Sequence, residues 1–95
     1  MIRFHPLVRR DAGQALRYYD GISRTLGDDF WTKLEEVCQR IAANPQRFHF
    51  DATGWRRANL RRFPYHVLFY EELDGVRVMV VRHNRRNPGF GTGRR

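Results

Sequence analysis

The spacing of apolar residues changes at Asn44-Pro45 and divides the chain into a helical half and a strand half. Before this point apolar residues recur every three or four positions, which is typical of one face of an amphipathic helix. After it they form short runs rich in β-branched and aromatic residues, which favour strands. A chain of 95 residues is long enough for one domain with a modest core. The pattern therefore predicts a single α+β domain over residues 1–95.

The helical half is predicted to contain a short strand and two helices. Residues 2–5 favour the strand, and Pro6 suits the first turn of a helix, where its missing N–H would have no partner. One apolar stripe runs over residues 8–22, and a second runs over 30–41 after a break at Gly27. The second helix ends at the Asn-Pro pair. The short connection between the stripes predicts an antiparallel helical hairpin.

Three strands are predicted after the helices, and the last two form a hairpin. Their ranges are 55–61, 65–72 and 76–83. Asp74-Gly75 is a strong signal for a two-residue type I′ turn, because both central residues of that turn need positive φ. In this register Glu72 faces Arg77 and His66 faces His83, so the two histidines lie side by side at the end far from the turn. The strands are expected to form a three-stranded antiparallel sheet with the helices over one face, in the order β-α-α-β-β-β.

The positive charge of the chain is concentrated in the strand half. The formal net charge is +8, and all of the 18 basic residues except Lys33 are arginine. Residues 1–53 hold eight basic and seven acidic residues, whereas residues 54–95 hold ten and three. Arginine binds phosphate and carboxylate groups through two parallel N–H donors. The distribution predicts a one-sided cationic surface that faces nucleic acid or an acidic protein.

Several classes of protein are excluded by what the sequence lacks. The single cysteine, Cys38, can form neither an internal disulfide nor a thiolate zinc cluster. His5 and His49 are too isolated for the spacing of metal ligands, so we expect no metal and no cofactor. Without a signal peptide or a membrane span, the chain is expected to be cytoplasmic. The glycine-rich segment 87–95 is predicted to be a flexible tail.

Polar side chains cluster at the histidine-bearing end of the predicted hairpin. Cleavage of RNA needs groups that move protons, for which histidine is suited, and cations that stabilise the phosphorane. The candidate catalytic residues are His83, His66, Arg62, Arg82 and Arg85. The candidates for binding phosphate or another target are Arg61, Arg62, Tyr65, Arg82, Arg85 and Arg86. The alternative is that the arginines form a solvated rim that binds a partner and the histidines only pair across the sheet.

Six short motifs occur in a characteristic order over nearly the whole chain. They lie at residues 4–6, 18–19, 26–30, 41–45, 61–70 and 80–88, beginning with Phe4-His-Pro and ending with Val80-Val-Arg-His-Asn-Arg-Arg-Asn-Pro88. In order and spacing they resemble the RelE/ParE superfamily of type II toxin-antitoxin toxins. The family fold of an N-terminal strand, a helical hairpin and an antiparallel sheet agrees with the periodicity. The resemblance implies a bacterial toxin that inhibits growth and is neutralised by a cognate antitoxin.

The resemblance leaves two activities open, which are ribosome-dependent cleavage of mRNA and inhibition of DNA gyrase. Nuclease members typically carry a basic residue in the central strand, and a basic or histidine group with a tyrosine near the C-terminus. Here the central position holds His66 or Val67, and the last aromatic residue is Phe90, which cannot exchange a proton. This difference favours ParE-like gyrase inhibition, and RelE-like cleavage is the alternative. A member that binds antitoxin without being toxic is a third possibility.

The resemblance also implies a complex between toxin and antitoxin. Such antitoxins are usually acidic and partly disordered when free, so they would complement both the cationic strand half and the apolar faces of the helices. We expect a hetero-oligomer and no membrane partner. The candidate antitoxin contacts are Tyr18, Tyr19, Trp31, Trp55, Arg56 and Arg57.

Overall fold

Two helices cover one face of a four-stranded sheet in the computed structural model, which describes residues 1–95. The elements are β1 (Ile2–Phe4), α1 (Val8–Ile22), α2 (Arg24–Ala43), a 3-10 turn (Pro45–Arg47), β2 (Arg56–Asn59), β3 (Tyr65–Glu72) and β4 (Gly75–His83). The strand order in the sheet is β1-β4-β3-β2. The predicted α+β order of one strand, two helices and three strands is confirmed.

The sheet has one strand more than the sequence predicts, because β1 joins it in parallel with β4. In this pairing Ile2 lies beside Val76. Just before β1, the Met1 carbonyl accepts a hydrogen bond from the Val76 N–H over 3.0 Å. Gly75 allows this close approach, since a Cβ there would overlap the Met1 carbonyl oxygen. A parallel pair requires a long connection, and here the connection contains the helical hairpin followed by β2 and β3.

The break between the helices lies at Ser23, and the predicted break at Gly27 is wrong. Ser23 has extended backbone angles, and its Oγ accepts from the Leu26 N–H over 3.0 Å, which caps α2. Gly27 lies inside α2. A larger residue would not fit at this position, because a Cβ there would overlap the Asp20 side chain of α1. The glycine therefore marks close packing of two helices and not a chain break. The predicted end of α2 is confirmed, because Asn44 is its C-cap.

The β3-β4 hairpin forms, but its register differs from the predicted one. The loop is Leu73-Asp74, so Glu72 pairs with Gly75 rather than facing Arg77. A β-bulge between Leu68 and Phe69 then shifts the pairing by one residue. The two changes place His66 opposite Arg82, and Tyr65 opposite His83. The predicted pairing of His66 with His83 is wrong.

The two faces of the sheet are packed differently. The helix-covered face packs against the helices in a core of 15 buried apolar residues. Phe30 of α2 and Phe69 of β3 are completely buried in this core. The opposite face holds a second cluster of three buried residues, Leu68, Met79 and Val80. The bulge places the neighbours Met79 and Val80 in the same cluster. This second face carries His66 and Arg82, whereas Tyr65 packs against the helix-covered core.

Candidate functional site

A hydrogen-bonded polar network lies on the face of the sheet opposite the helices, at the open end of the β3-β4 hairpin. His66 and Arg82 are both buried there. The Arg82 Nε–H donates to His66 Nε2 over 2.9 Å, and the His66 Nδ1–H donates to Asn84 Oδ1 over 2.8 Å. Because a guanidinium can only donate, the imidazole is the neutral tautomer with its proton on Nδ1. Both ring nitrogens of His66 are therefore occupied.

The surroundings of His66 favour its neutral form. Burial lowers the pKa of His66 below its usual value; the hydrogen bond with Asn84 opposes this change, and the positive charges of Arg57 and Arg82 add to it. Asp51 lies 3.9 Å from Arg57 and 4.0 Å from Arg82 and partly balances their charge. Burial would raise the pKa of Asp51, but bonds from Thr53 and the two arginines lower it overall, which keeps the carboxylate charged. His66 is therefore a fixed hydrogen-bonding group and not a ready proton carrier.

Arg82 holds the C-terminal segment of the chain, residues 87–95, which we call the strap. Arg82 Nη1 donates to the Pro88 carbonyl over 2.8 Å and to the Phe90 carbonyl over 3.0 Å. Phe90 packs against the second apolar cluster. The sequence predicts a flexible tail here, whereas the structure gives this segment specific contacts. The Arg82 guanidinium, a predicted phosphate ligand, is buried among these internal partners.

The strap ends in a buried ion pair with α1. Arg94 Nη1 and Nη2 donate to Asp11 Oδ2 and Oδ1 over 2.6 and 2.9 Å, and the two side chains are only 6% and 1% exposed. Asp11 also accepts from the Val81 N–H, and Arg94 also donates to the Met79 carbonyl. These backbone groups belong to β4 beyond the end of β1, so the pair satisfies a strand edge that lacks a partner strand. The sequence predicts neither residue as part of the site, because 83 positions separate them and no local pattern connects them.

His83 lies on the other side of the sheet from His66. Its ring makes an edge contact with Tyr65 at 5.1 Å between centroids, and its Nδ1 accepts from the Arg85 N–H over 3.0 Å. It lines a cavity of about 120 Å³ together with Tyr65, Arg86 and Phe90. The His83 Nε2 has no hydrogen-bond partner. His83 is thus the one predicted catalytic histidine with a free ring nitrogen.

The other predicted arginines are exposed, and they differ in their partners. Arg62 donates to Asp29 of α2 over 2.6 Å and has a positive φ of 73°. The Arg86 guanidinium lies 4.1 Å from the centre of the Phe90 ring. Arg61 and Arg85 form no ion pair. Three exposed cations, Arg61, Arg85 and Arg86, therefore have no acidic partner near the open end of the hairpin.

A large apolar groove lies between the two helices and β1. Its volume is about 710 Å³, and its walls include Phe4, Leu34 and Trp31, which is 44% exposed. Cys38 also lines it, and burial raises the pKa of the Cys38 thiol to about 11, so the thiol is protonated and unreactive near neutral pH. Trp31 is the predicted antitoxin contact that the structure places in a concave surface.

The remaining predicted antitoxin contacts are divided between surface and interior. Tyr18 is 64% exposed on α1, whereas Tyr19 stacks on Phe30 at 5.2 Å and belongs to the internal packing. Trp55 packs against the second apolar cluster. The two arginines of β2 bind within the chain, Arg56 to the Phe48 carbonyl and Arg57 to Asn59 and Asn84. The structure therefore does not bring the six residues into one surface.

A family model described as the ParE toxin of the type II toxin-antitoxin system parDE matches residues 2–88. The chain therefore belongs to the ParE toxin family, within the RelE/ParE superfamily, and is the toxin of a type II toxin-antitoxin system. An antitoxin partner follows from that membership. A search of curated proteins found no match.

No group of three or more His, Cys, Asp or Glu side chains is arranged to hold a metal ion. Neither helix has an apolar stretch that could cross a lipid bilayer.

Proposed function

We propose that this toxin arrests growth by inhibiting DNA gyrase, without cutting RNA. The observation that carries the proposal is the state of the His66-Arg82 pair. Both nitrogens of His66 are occupied, and Arg82 is buried against the strap carbonyls. His66 therefore has no free ring nitrogen for proton transfer, and Arg82 uses its Nε and Nη1 donors inside the chain while its Nη2 lies 4.0 Å from Asp51. Phe90 adds to the argument because it supplies no hydroxyl in their vicinity.

Three exposed cations are the proposed contacts with gyrase. Arg61, Arg85 and Arg86 have no acidic partner in the chain and lie near one end of the hairpin. Exposed arginines can form bidentate bonds with carboxylates of a protein or with DNA phosphates, and both groups are present in a gyrase–DNA complex. Because the donors are not used internally, binding requires no rearrangement of the fold.

The direct test is a supercoiling assay with purified toxin, gyrase and relaxed plasmid. We expect loss of supercoiling or a trapped cleavage complex. The double variant Arg85→Ala/Arg86→Ala should weaken inhibition at least tenfold. Arg10→Ala/Arg17→Ala removes the same charge from exposed positions on α1 and should leave inhibition unchanged. Full supercoiling activity at saturating toxin would refute the proposal.

A second candidate, cleavage of mRNA on the ribosome, is favoured by the surroundings of His83. This histidine has a free Nε2 in a cavity that also contains the Tyr65 and Arg86 side chains. Such a group could transfer a proton while an arginine holds the phosphate. Primer extension on mRNA after toxin induction decides the question. Cleavage would give new 5′ ends that disappear in His83→Ala and persist in His49→Ala, a control at an exposed histidine.

The antitoxin is proposed to dock in the groove that contains Trp31. The groove is large and apolar, and an exposed tryptophan in a concave surface is a typical centre of binding energy. An acidic antitoxin would also be attracted by the net charge of +8. Trp31→Ala should weaken antitoxin binding by roughly 30-fold, a loss of ~2 kcal/mol. Tyr18→Ala removes an exposed aromatic residue that does not line the groove, and it should change the affinity much less.

A further inference from the structure

The strap is attached to the rest of the domain at three places. Arg82 binds two of its carbonyls, Phe90 packs on the second apolar cluster, and Arg94 pairs with Asp11. Within the strap, the N–H groups of Phe90, Thr92 and Arg94 each donate to the carbonyl three residues earlier, so it is a series of turns. The family match ends at residue 88 and so includes only the first two residues of the strap.

None of these attachments belongs to the main core. The 15 buried residues of the helix-covered face include no residue of the strap. Removal of the strap would take the Phe90 ring off Leu68, Met79 and Val80, on which Trp55 and Tyr70 also pack, and would leave Asp11 with its bond from the Val81 N–H. The strap also contains Gly89, Gly91 and Gly93, and glycine loses more backbone entropy on ordering than other residues do. The closed position of the strap therefore depends on its three attachments, which are the bonds from Arg82, the packing of Phe90 and the Asp11–Arg94 ion pair.

We propose that residues 87–95 form a reversible strap, locked by the Asp11–Arg94 ion pair, which opens as a unit while the helices and the sheet stay folded. Opening removes the Phe90 ring from the apolar cluster of Leu68, Met79 and Val80 and frees Arg82 Nη1 for an external acceptor. The strap therefore controls access to the face of the sheet opposite the helices. This inference rests on the packing of the strap, and the proposal of gyrase inhibition refers to the closed state, in which the strap carbonyls occupy Arg82 Nη1.

Two positions in the strap have matched neighbours that serve as controls. Arg94→Ala removes the lock, whereas Arg95→Ala removes the same charge from an exposed residue with no side-chain bond. Gly91 has a φ of +82°, and a Cβ there would lie 2.6 Å from Val80 Cγ2. Gly91→Ala should therefore prevent closure. At Gly93 an added Cβ meets no atom within 4 Å, so Gly93→Ala should be tolerated.

Amide hydrogen exchange of the full chain tests the proposal. In the unmodified protein, we expect the amides of Phe90, Thr92 and Arg94 to exchange at least tenfold faster than those of core strand residues such as Val67. Equal rates would mean that the strap opens only when the whole domain unfolds, and this result would overturn the proposal without any variant.

The variants give a second measurement. Arg94→Ala and Gly91→Ala should speed exchange of the strap amides at least tenfold more than Arg95→Ala and Gly93→Ala do. They should also shift the emission of Trp55, which packs on the same apolar cluster, to longer wavelength in a Trp31→Phe background. Each variant should keep a cooperative thermal transition. If Arg94→Ala behaves like Arg95→Ala, or if Gly91→Ala and Arg94→Ala both lose the cooperative transition, the strap is not an independent unit.

Discussion

The two faces of one sheet are stabilised by different kinds of interaction. On the helix-covered face, aromatic rings such as Tyr19, Phe30 and Phe63 pack with centroids 4.9 to 5.3 Å apart. On the opposite face, a small apolar cluster is joined to hydrogen bonds and ion pairs centred on Arg82. Apolar packing is non-directional, whereas a buried polar network is stable only when each member has its partner. Apolar packing on the first face therefore provides most of the stability of the domain. The polar network on the second face determines which side chains and backbone groups are occupied internally.

The largest expected effect comes from a large-to-small change in the main core. Phe30→Ala removes a completely buried ring and should lower the free energy of unfolding by about 3–5 kcal/mol. Phe90→Ala, on the opposite face, removes a partly exposed ring and should cost only about 1 kcal/mol. Urea denaturation measures both values. Equal losses would show that the two faces contribute alike.

The next effect tests the polar network. Arg82→Met keeps an unbranched apolar stem but leaves His66 Nε2 and two strap carbonyls without their donor. Unpaired buried polar groups cost ~1–3 kcal/mol each, so we expect a loss of about 2–4 kcal/mol, reduced where water enters. Arg85→Met, at an exposed position, should change stability by less than ~0.5 kcal/mol. An Arg82→Met variant as stable as the unmodified protein would show that apolar packing alone holds this face.

The sequence predicts the helix-covered face better than the opposite one, for a physical reason. The stripes that contain Val8 and Phe30 are visible as a period of three to four residues, and the range of β3 follows from its composition. The register of the hairpin depends on a bulge and on the approach of Met1 to Gly75, which are tertiary effects. A one-residue shift reverses the face on which every side chain lies, so the predicted histidine pair was replaced by His66 and Arg82.

The sequence predicts which residue types lie in the polar site but not how they are bonded to one another. Histidine and arginine at the open end of the hairpin were expected, but their hydrogen-bond partners come from distant parts of the chain. Asp51 lies in the loop before β2, and the strap follows β4. Contacts of this kind are set by the complete fold, so local patterns do not reveal that Arg82 is used internally.

A smaller effect concerns the pH dependence of stability. Burial lowers the pKa of His66 in the folded protein, so near pH 6 the unfolded chain binds more protons than the folded chain does. The contribution of His66 is fully present above its ordinary pKa of about 6.5 and is lost as the pH falls from there through the folded-state pKa. One proton gives a slope of at most about 1.4 kcal/mol per pH unit. Urea denaturation between pH 7 and 5 should show this slope.

The matched variants for the pH experiment are His66→Gln and His49→Gln. Glutamine at position 66 does not titrate, so the slope due to His66 should be absent from that variant. His49 is exposed, and its replacement should leave the slope unchanged. Parallel pH profiles for the unmodified protein and His66→Gln would show that the buried network accepts a charged imidazole.

The smallest effect is expected at Arg62, where the rim of the helix-covered face has its own ion pair. Arg62 and Asp29 are 55% and 38% exposed, and pairs in contact with water contribute at most about 1 kcal/mol. Arg62→Ala should therefore cost less than ~1 kcal/mol. Arg62→Gly loses the same pair but relieves the positive φ of 73°, so it should be about 1 kcal/mol more stable than the alanine variant. Thermal denaturation compares the two variants directly. Equal stabilities of the alanine and glycine variants would mean that the backbone at this turn relaxes when the side chain is removed. If Arg62→Ala lost as much stability as Arg82→Met, polar contacts would matter equally on both faces.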